Sequence, residues 1–267
     1  MKLEVLISTY NKGLENVSKI LKYQHENIKY LINHQIGNFQ DNDTLKKDLL
    51  RDDVKVFSSY TQGLSNNRNE VIRKASEEIC LLADDDIELI SGVEKKILKA
   101  FKDNPKADII TFKMYTSSPA NSKTYAKTSF KYNFRNLAKV SSIEIAFRLS
   151  SIKKYQLYFD NRFGLGAKYP MGEEYIFLTE AYKKGLNIYY CPETIVFHPE
   201  VSTGLKQKDE LIFAKGAVFA RVFGIRALLV NIYFALRKRK LYKRKYSFYR
   251  YLQLLNLGSI DYLKGGK

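Results

Sequence analysis

A chain of 267 residues with 45% hydrophobic composition can bury a sizeable core, as one large domain or as one domain with an appendage. Its two cysteines, Cys80 and Cys191, stand far apart in apolar, strand-like contexts, which argues against a disulfide framework and against cysteine metal ligation. A formal charge of +17 raises nucleic acid or an anionic membrane face as partners, but no helix-turn-helix, zinc-finger or RNP-like pattern is visible, so nucleic acid is not expected.

Taken in order, the elements alternate as in an α/β sheet. Leu3 to Ser8 reads as a strand that passes into Thr9-Tyr10-Asn11, with no secretory leader pattern before it; a reducing, cytoplasmic setting is expected. The spacing predicts a helix over Leu14 to Gln24, strands at Ile28 to Asn33 and Val54 to Ser58, and a polar excursion from Asn38 to Asp53. Gly63 to Asn69 opens a helix running to about Glu78, with Ser65 as its cap. The apolar run Ile79 to Ala83 then ends abruptly in Asp84-Asp85-Asp86. A helix over Gly92 to Lys102 and a strand at Asp108 to Tyr115 follow.

From Thr116 to Asn133 the chain is rich in Ser, Thr, Lys and Tyr and reads as a mobile loop. Ser142 to Phe147 reads as a strand and Ser150 to Tyr155 as a short helix. After Phe163-Gly164-Leu165-Gly166, helical spacing runs from Glu173 to Lys184 and stops at Gly185. Leu186 to Cys191 and Thr194 to Phe197 are short strands leading into His198-Pro199. The tail differs in kind: the apolar stretch Ala217 to Leu236 is interrupted by Arg221, Arg226 and Asn231 and followed by Arg237-Lys238-Arg239-Lys240. Charges at a bilayer centre are costly, so this stretch suits a basic amphipathic helix lying in the interface of an anionic membrane. A helical subdomain packed on the core is the competing reading.

Three adjacent carboxylates at the end of an interior strand repel one another. The crowding is tolerable where a divalent cation sits among them, since hard oxygen ligands suit Mg²⁺ or Mn²⁺ and such ions are shared with substrate phosphates. A solvated acidic turn before the helix near Ser91 is the plainer alternative.

Taken jointly, the motifs form an ordered set: a strand ending in Ser-Thr-Tyr-Asn, a Gly-Leu-Ser-x-x-Arg-Asn segment, a strand ending in Asp-Asp-Asp, Gly172-Glu173-Glu174 opening a helix, and a strand ending in His198. Over residues 1–205 this resembles a family-two glycosyltransferase of the bacterial surface-polysaccharide type. The resemblance implies a GT-A fold, a Rossmann-like mixed sheet with helices on both faces. It divides into a nucleotide-sugar half at 1–115 and an acceptor half at 116–205, and residues 206–267 are a membrane-associating helical tail.

The roles that the resemblance implies are specific. Ser8, Thr9, Tyr10, Arg68, Asn69, Asp84 and Asp85 contact the donor, since ligands collect outside the carboxyl ends of sheet strands. Asp84 and Asp86 take the place of the family's Asp-x-Asp motif, and with His198 they hold Mn²⁺ or Mg²⁺. The base that deprotonates the acceptor is expected at Glu174, which stands where the family carries Asp in a Gly-Glu-Asp-like motif; Glu173 is the alternative. Gly164, Gly166 and Tyr169 are expected at the acceptor. The expected activity is inverting, metal-dependent transfer from a UDP-sugar to a glycan acceptor that is lipid-linked, by a cytoplasmic enzyme peripheral to the inner face of the plasma membrane. A metal-dependent nucleotidyltransferase and a basic nucleic-acid-binding protein are the alternatives.

Overall fold

The structure is a computed structural model that describes residues 1–37, 47–117, 123–199 and 208–265. Parts of the excursion after Asn38 and of the loop after Thr116, and the boundary at 205, lie outside the described residues. The chain forms two compact units. Met1–Gln62, Asn66–Tyr158 and Ala181–Val201 make the first; Gly63–Ser65, Phe159–Glu180 and Ser202–Lys267 make the second. This division differs from the boundary read from the sequence, because residues 159–180 fold with the C-terminal helices.

The first unit is built on a mixed sheet. Its strands are β1 (Leu3–Tyr10), β2 (Ile28–Gln35), β3 (Val54–Ser59), β4 (Ile79–Asp84), β5 (Glu88–Leu89), β6 (Ile109–Thr116), β7 (Phe130–Lys131), β8 (Ile145–Arg148) and β9 (Ile188–His198). The order is β3-β2-β1-β4-β8-β6-β9-β5, with β7 on β9. Strands β1 to β4 run parallel, β8 is antiparallel to both β4 and β6, and β6 pairs in parallel with β9. Both faces of β1 and β4 are buried, which is why their sequences are nearly continuous apolar runs. The exception in β1 is Glu4, 2% exposed, whose carboxylate accepts from the backbone N–H groups of Ser76 (2.7 Å) and Glu77 (3.2 Å) and so stays satisfied inside.

Helices α1 (Ser18–Leu21), α2 (Leu64–Lys74), α3 (Val93–Asp103), α4 (Leu149–Lys154) and α5 (Glu173–Lys183) alternate with the strands. The apolar face of α3 recurs at Val93, Ile97, Ala100 and Phe101, the spacing of one helical side, and joins Val17 and Ile20 of the α1 region against Val5, Ile7, Leu81 and Ile110 of the sheet.

Local chemistry explains three departures from the expected elements. The helix expected over Leu14 to Gln24 is instead a 3-10 turn at Asn11–Glu15 followed by the four-residue α1, and Asn11 enters it with φ 47°. Ser65 does not cap α2; its hydroxyl donates to the Phe163 carbonyl at 2.6 Å. The two short strands expected after Leu186 are one strand, β9, which runs through Pro192 where its register with β6 shifts; a bulge is where a strand tolerates proline.

The second unit contains α6 (Asp209–Phe223), α7 (Ala227–Arg237), α8 (Arg239–Tyr242) and α9 (Phe248–Leu263). Two glycines set the approach of α6 to α9. A Cβ on Gly216 would lie 1.9 Å from the Leu255 carbonyl oxygen, and one on Gly258 would lie 1.8 Å from that of Phe213. Around this crossing the Tyr242 and Tyr251 rings stack at 3.7 Å, and the buried Asn231 amide donates to Asn256 and to Ser259, both at 2.9 Å. Much of the apolar tail is therefore the core of a helical unit. Gly258→Ala is expected to lower stability by about 1–3 kcal/mol through overpacking, read as a lower denaturation midpoint; an unchanged midpoint would show that the helices can separate at no cost.

Candidate active site

The register of the sheet assembles the acidic cluster. Ser8 pairs with Asp84 across β1 and β4, so the residues just beyond, Thr9 and Asp85, leave the sheet side by side. The Thr9 hydroxyl donates to Asp85 Oδ2 at 2.6 Å. A Cβ at Gly13 would stand 2.0 Å from that oxygen, so a side chain there would displace the Asp85 carboxylate from Thr9. The Asn67 amide donates to the Thr9 carbonyl at 2.9 Å and ties the start of α2 to the same strand end.

Each of the three aspartates has a different environment. Asp84 receives the Arg68 guanidinium at 2.8 Å and, more weakly, the Ser142 hydroxyl at 3.3 Å, while Ser142 Oγ also accepts from Arg68 at 2.8 Å. For Asp85, burial pushes the carboxyl above its usual range; the Thr9 bond opposes this and the two flanking aspartates add to it. Asp86 is the reverse: a hydrogen bond from His198 leads in holding its carboxyl below the usual range. Asp86 Oδ2 lies 3.4 Å from His198 Nε2, with the Asp86 side chain half exposed.

Not every expected contact faces outward. Tyr10 is 54% exposed, and Asp84, Asp85 and Asp86 have open surface, whereas Ser8, Thr9, Arg68 and Asn69 are 2–4% exposed. Of these four, Thr9 bonds to Asp85 and Arg68 to Asp84, so both reach the site through a carboxylate. The three metal ligands read from the sequence are likewise not brought together. Asp86 and His198 meet, but Asp84 is drawn to Arg68, and the described residues hold no cluster of three acidic, histidine or cysteine side chains suited to a metal. One carboxylate and one imidazole do suit a cation that takes its remaining ligands from substrate phosphates. Ser142 and Gly13 were missed from the sequence; a glycine two residues beyond a strand-end Asn was the one available signal.

The glutamates belong to the second unit. Gly164, Gly166 and Gly172 all have positive φ, at 100°, 77° and 83°. A Cβ at Gly164 would press on Ser65 Oγ (3.1 Å) and Glu173 Cδ (3.2 Å), so Glu173, 5% exposed, lies packed against that loop, while Glu174 is partly open. Tyr169, expected at the acceptor, is 0% exposed and its hydroxyl donates to Asp261 at 2.6 Å. It braces the loop instead, as does Arg162, which forks onto Asp160 at 2.9 and 2.7 Å and donates to the Tyr262 hydroxyl at 2.9 Å. Burial alone would raise the Asp160 pKa, but bonds from Arg162 and Arg221 pull it below the usual range.

A mixed sheet of this order, with acidic residues at the ends of its inner strands, has the GT-A fold. Residues 40–160 match the model for glycosyl transferase family 2, which bears out the resemblance seen in the sequence. No curated protein sequence matches. Among solved structures, S. aureus TarS 1–349 in complex with UDP-GlcNAc superposes with a TM-score of 0.65 at 14% identity, over 99% of this chain and 92% of that one. The same fragment with UDP gives 0.63 at 15% identity, over 99% and 89%. The longer TarS structure gives 0.64 at 16% identity over 98% of this chain, which spans 55% of its length.

Arg68→Met is expected to cost about 2–3 kcal/mol in urea denaturation, by leaving the Asp84 carboxylate without its cation, less than a fully buried pair because Asp84 is a third exposed. Loss of under about 0.5 kcal/mol would show that the pair does not organise the strand end.

Proposed function

We propose that the protein is an inverting glycosyltransferase that moves a sugar from a UDP-sugar to a hydroxyl of a glycan acceptor. The observation that carries this reading is the meeting of Asp86 and His198 beside the Thr9–Asp85 bond, at the open end of parallel strands, where α/β sheets bind their ligands. The complexes of TarS with UDP and UDP-GlcNAc support the choice of donor.

In this reading Asp86 and His198 hold Mn²⁺ or Mg²⁺ with the donor diphosphate, and Tyr10 packs on the base. When bound, the cation neutralises charge on the departing nucleoside diphosphate. Arg68 holds Asp84 in orientation, and Thr9 fixes Asp85 toward the donor. Glu174 takes the proton of the acceptor hydroxyl as that oxygen bonds to the anomeric carbon. The bond from that carbon to the diphosphate breaks, and its electron pair leaves with the nucleotide. Glu173, packed against Gly164, positions the loop.

Peripheral attachment to the inner face of the plasma membrane, and with it a lipid-linked acceptor, is supported by α7. By length and composition, the helical run Asp209–Arg237 is able to cross a bilayer. Its α6 portion, however, spends Ile212, Ala214, Ala217, Val218 and Val222 on burial. What remains is one exposed stripe, Ile225 (70%), Leu229 (70%), Ile232 (42%), Tyr233 (60%) and Leu236 (60%), beside exposed Arg226, Arg237, Lys238, Arg239 and Lys240. Apolar residues for acyl chains and cations for headgroups describe an interfacial helix.

Asp86→Ala is expected to abolish metal-stimulated UDP-sugar hydrolysis or transfer, and Glu174→Gln to lose transfer while still binding UDP by calorimetry. A fully active Glu174→Gln protein would place the base elsewhere. A thermal-shift series of nucleotide sugars with and without Mn²⁺ tests donor and metal together, and no shift with any of them would sink the reading.

Leu229→Glu with Leu236→Glu is expected to release the protein from phosphatidylglycerol vesicles without changing its melting temperature. Unchanged sedimentation would remove α7 as the anchor.

A further inference from the structure

A cavity in the first unit, of about 680 Å³, is lined by Phe112, Tyr125, Phe130, Tyr132 and Tyr190 together with Lys123, Arg135, Lys139 and Glu144. Its size suits a ligand of one or two sugar rings. The aromatic wall is rigid. Phe130 sits 4.9 Å from the Tyr132 ring and 5.0 Å from that of Tyr190, and the Tyr132 hydroxyl is bonded to Thr111 at 2.8 Å. The Tyr190 hydroxyl donates to the Ala126 carbonyl at 2.9 Å, and burial pushes both phenols up to about 12, so the wall stays neutral and offers its ring faces to a ligand.

The charge is unbalanced. Glu144, 2% exposed, is already neutralised by Lys123 Nζ at 2.9 Å, by the Ser141 N–H at 2.8 Å and by the Tyr125 hydroxyl. Arg135 and Lys139 at the mouth are exposed and form no ion pair among the described residues. Apolar ring faces below and two free cations above select for flat C–H surfaces joined to negative charge. The cavity also has a short link to the acidic cluster. One 3-10 turn, Ser142–Glu144, holds Asp84 with its first residue and walls the cavity with its last.

We propose that this cavity binds an anionic sugar residue, a uronate or a sugar phosphate, of the acceptor glycan. The role as acceptor subsite rests on the glycosyltransferase reading above; the binding of an anionic sugar does not.

The test is saturation-transfer NMR on the full chain, in excess UDP to occupy the donor site, with glucuronic acid, glucose 1-phosphate, glucose and inorganic phosphate as probes. Saturable binding of glucuronic acid or glucose 1-phosphate is expected, with glucose and phosphate weaker, and the better of the two names the source of the charge. Arg135→Glu with Lys139→Glu should weaken that binding by about tenfold, and Phe130→Ala should weaken it too, while the UDP-induced thermal shift stays intact. No saturable binding of either anionic sugar, equal binding of phosphate alone, or affinity that survives the charge reversal would overturn the proposal. If anionic sugars bind while no nucleotide sugar does, the cavity stands and the glycosyltransferase reading falls.

Discussion

Electrostatic repulsion among Asp84, Asp85 and Asp86 is the constraint on which the rest of the first unit depends. At the usual strengths of charge interaction in partly buried surroundings, three adjacent carboxylates cost several kcal/mol unless each is compensated. The fold compensates them separately: a buried guanidinium for Asp84, a hydroxyl for Asp85, an imidazole for Asp86. Each partner comes from a different element, so the cluster exists only when α2, β1 and β9 are all in place. The carboxylates are thus organised by tertiary structure before any ligand arrives, and pre-organisation is what makes such charges useful in catalysis.

The parts of this arrangement legible in the sequence were those with periodicity or abrupt punctuation. Apolar runs ending in polar residues located β1 and β4, and Gly172-Glu173 located the start of α5. What the sequence did not disclose was the direction in which polar side chains turn. Arg68 and an exposed arginine look alike in one dimension, and only the Ser142–Asp84 contact shows why this one is buried. Tyr169 has the same lesson: its place after a glycine loop suggested a sugar platform, yet Asp261, some ninety residues later, claims its hydroxyl. Short elements were also lost, because a two-residue strand such as β5 and a four-residue helix such as α1 are fixed by pairing rather than by propensity.

The basic, apolar C-terminal region combines two roles that composition alone blends. Gly216 and Gly258 let α6 and α9 touch backbone to backbone, and this commits the inner faces to a dry interior. Interior burial of that kind uses up the hydrophobicity that would otherwise drive insertion. The outer stripe of α7 has no such partner among the described residues, and its cations are clustered at one end of the helix. An apolar face of this exposure is costly in water, and the proposed attachment to a membrane would offset that cost while using Arg237 to Lys240.

The +17 charge follows the same logic of division. Cations paired inside, such as Arg68 with Asp84 and Arg162 with Asp160, organise structure and offer little attraction to distant anions. Others, Arg135 and Lys139 at the aromatic cavity and the exposed Lys238, Arg239 and Lys240, face solvent, where long-range attraction acts. Both groups point to negatively charged partners that differ in form, one a compact residue fitting a cavity and one an extended surface. The proposed reaction between a nucleotide sugar and an acceptor held at a membrane would use both, whereas a nucleic-acid binder needs neither an aromatic cavity of this size nor an exposed apolar helix.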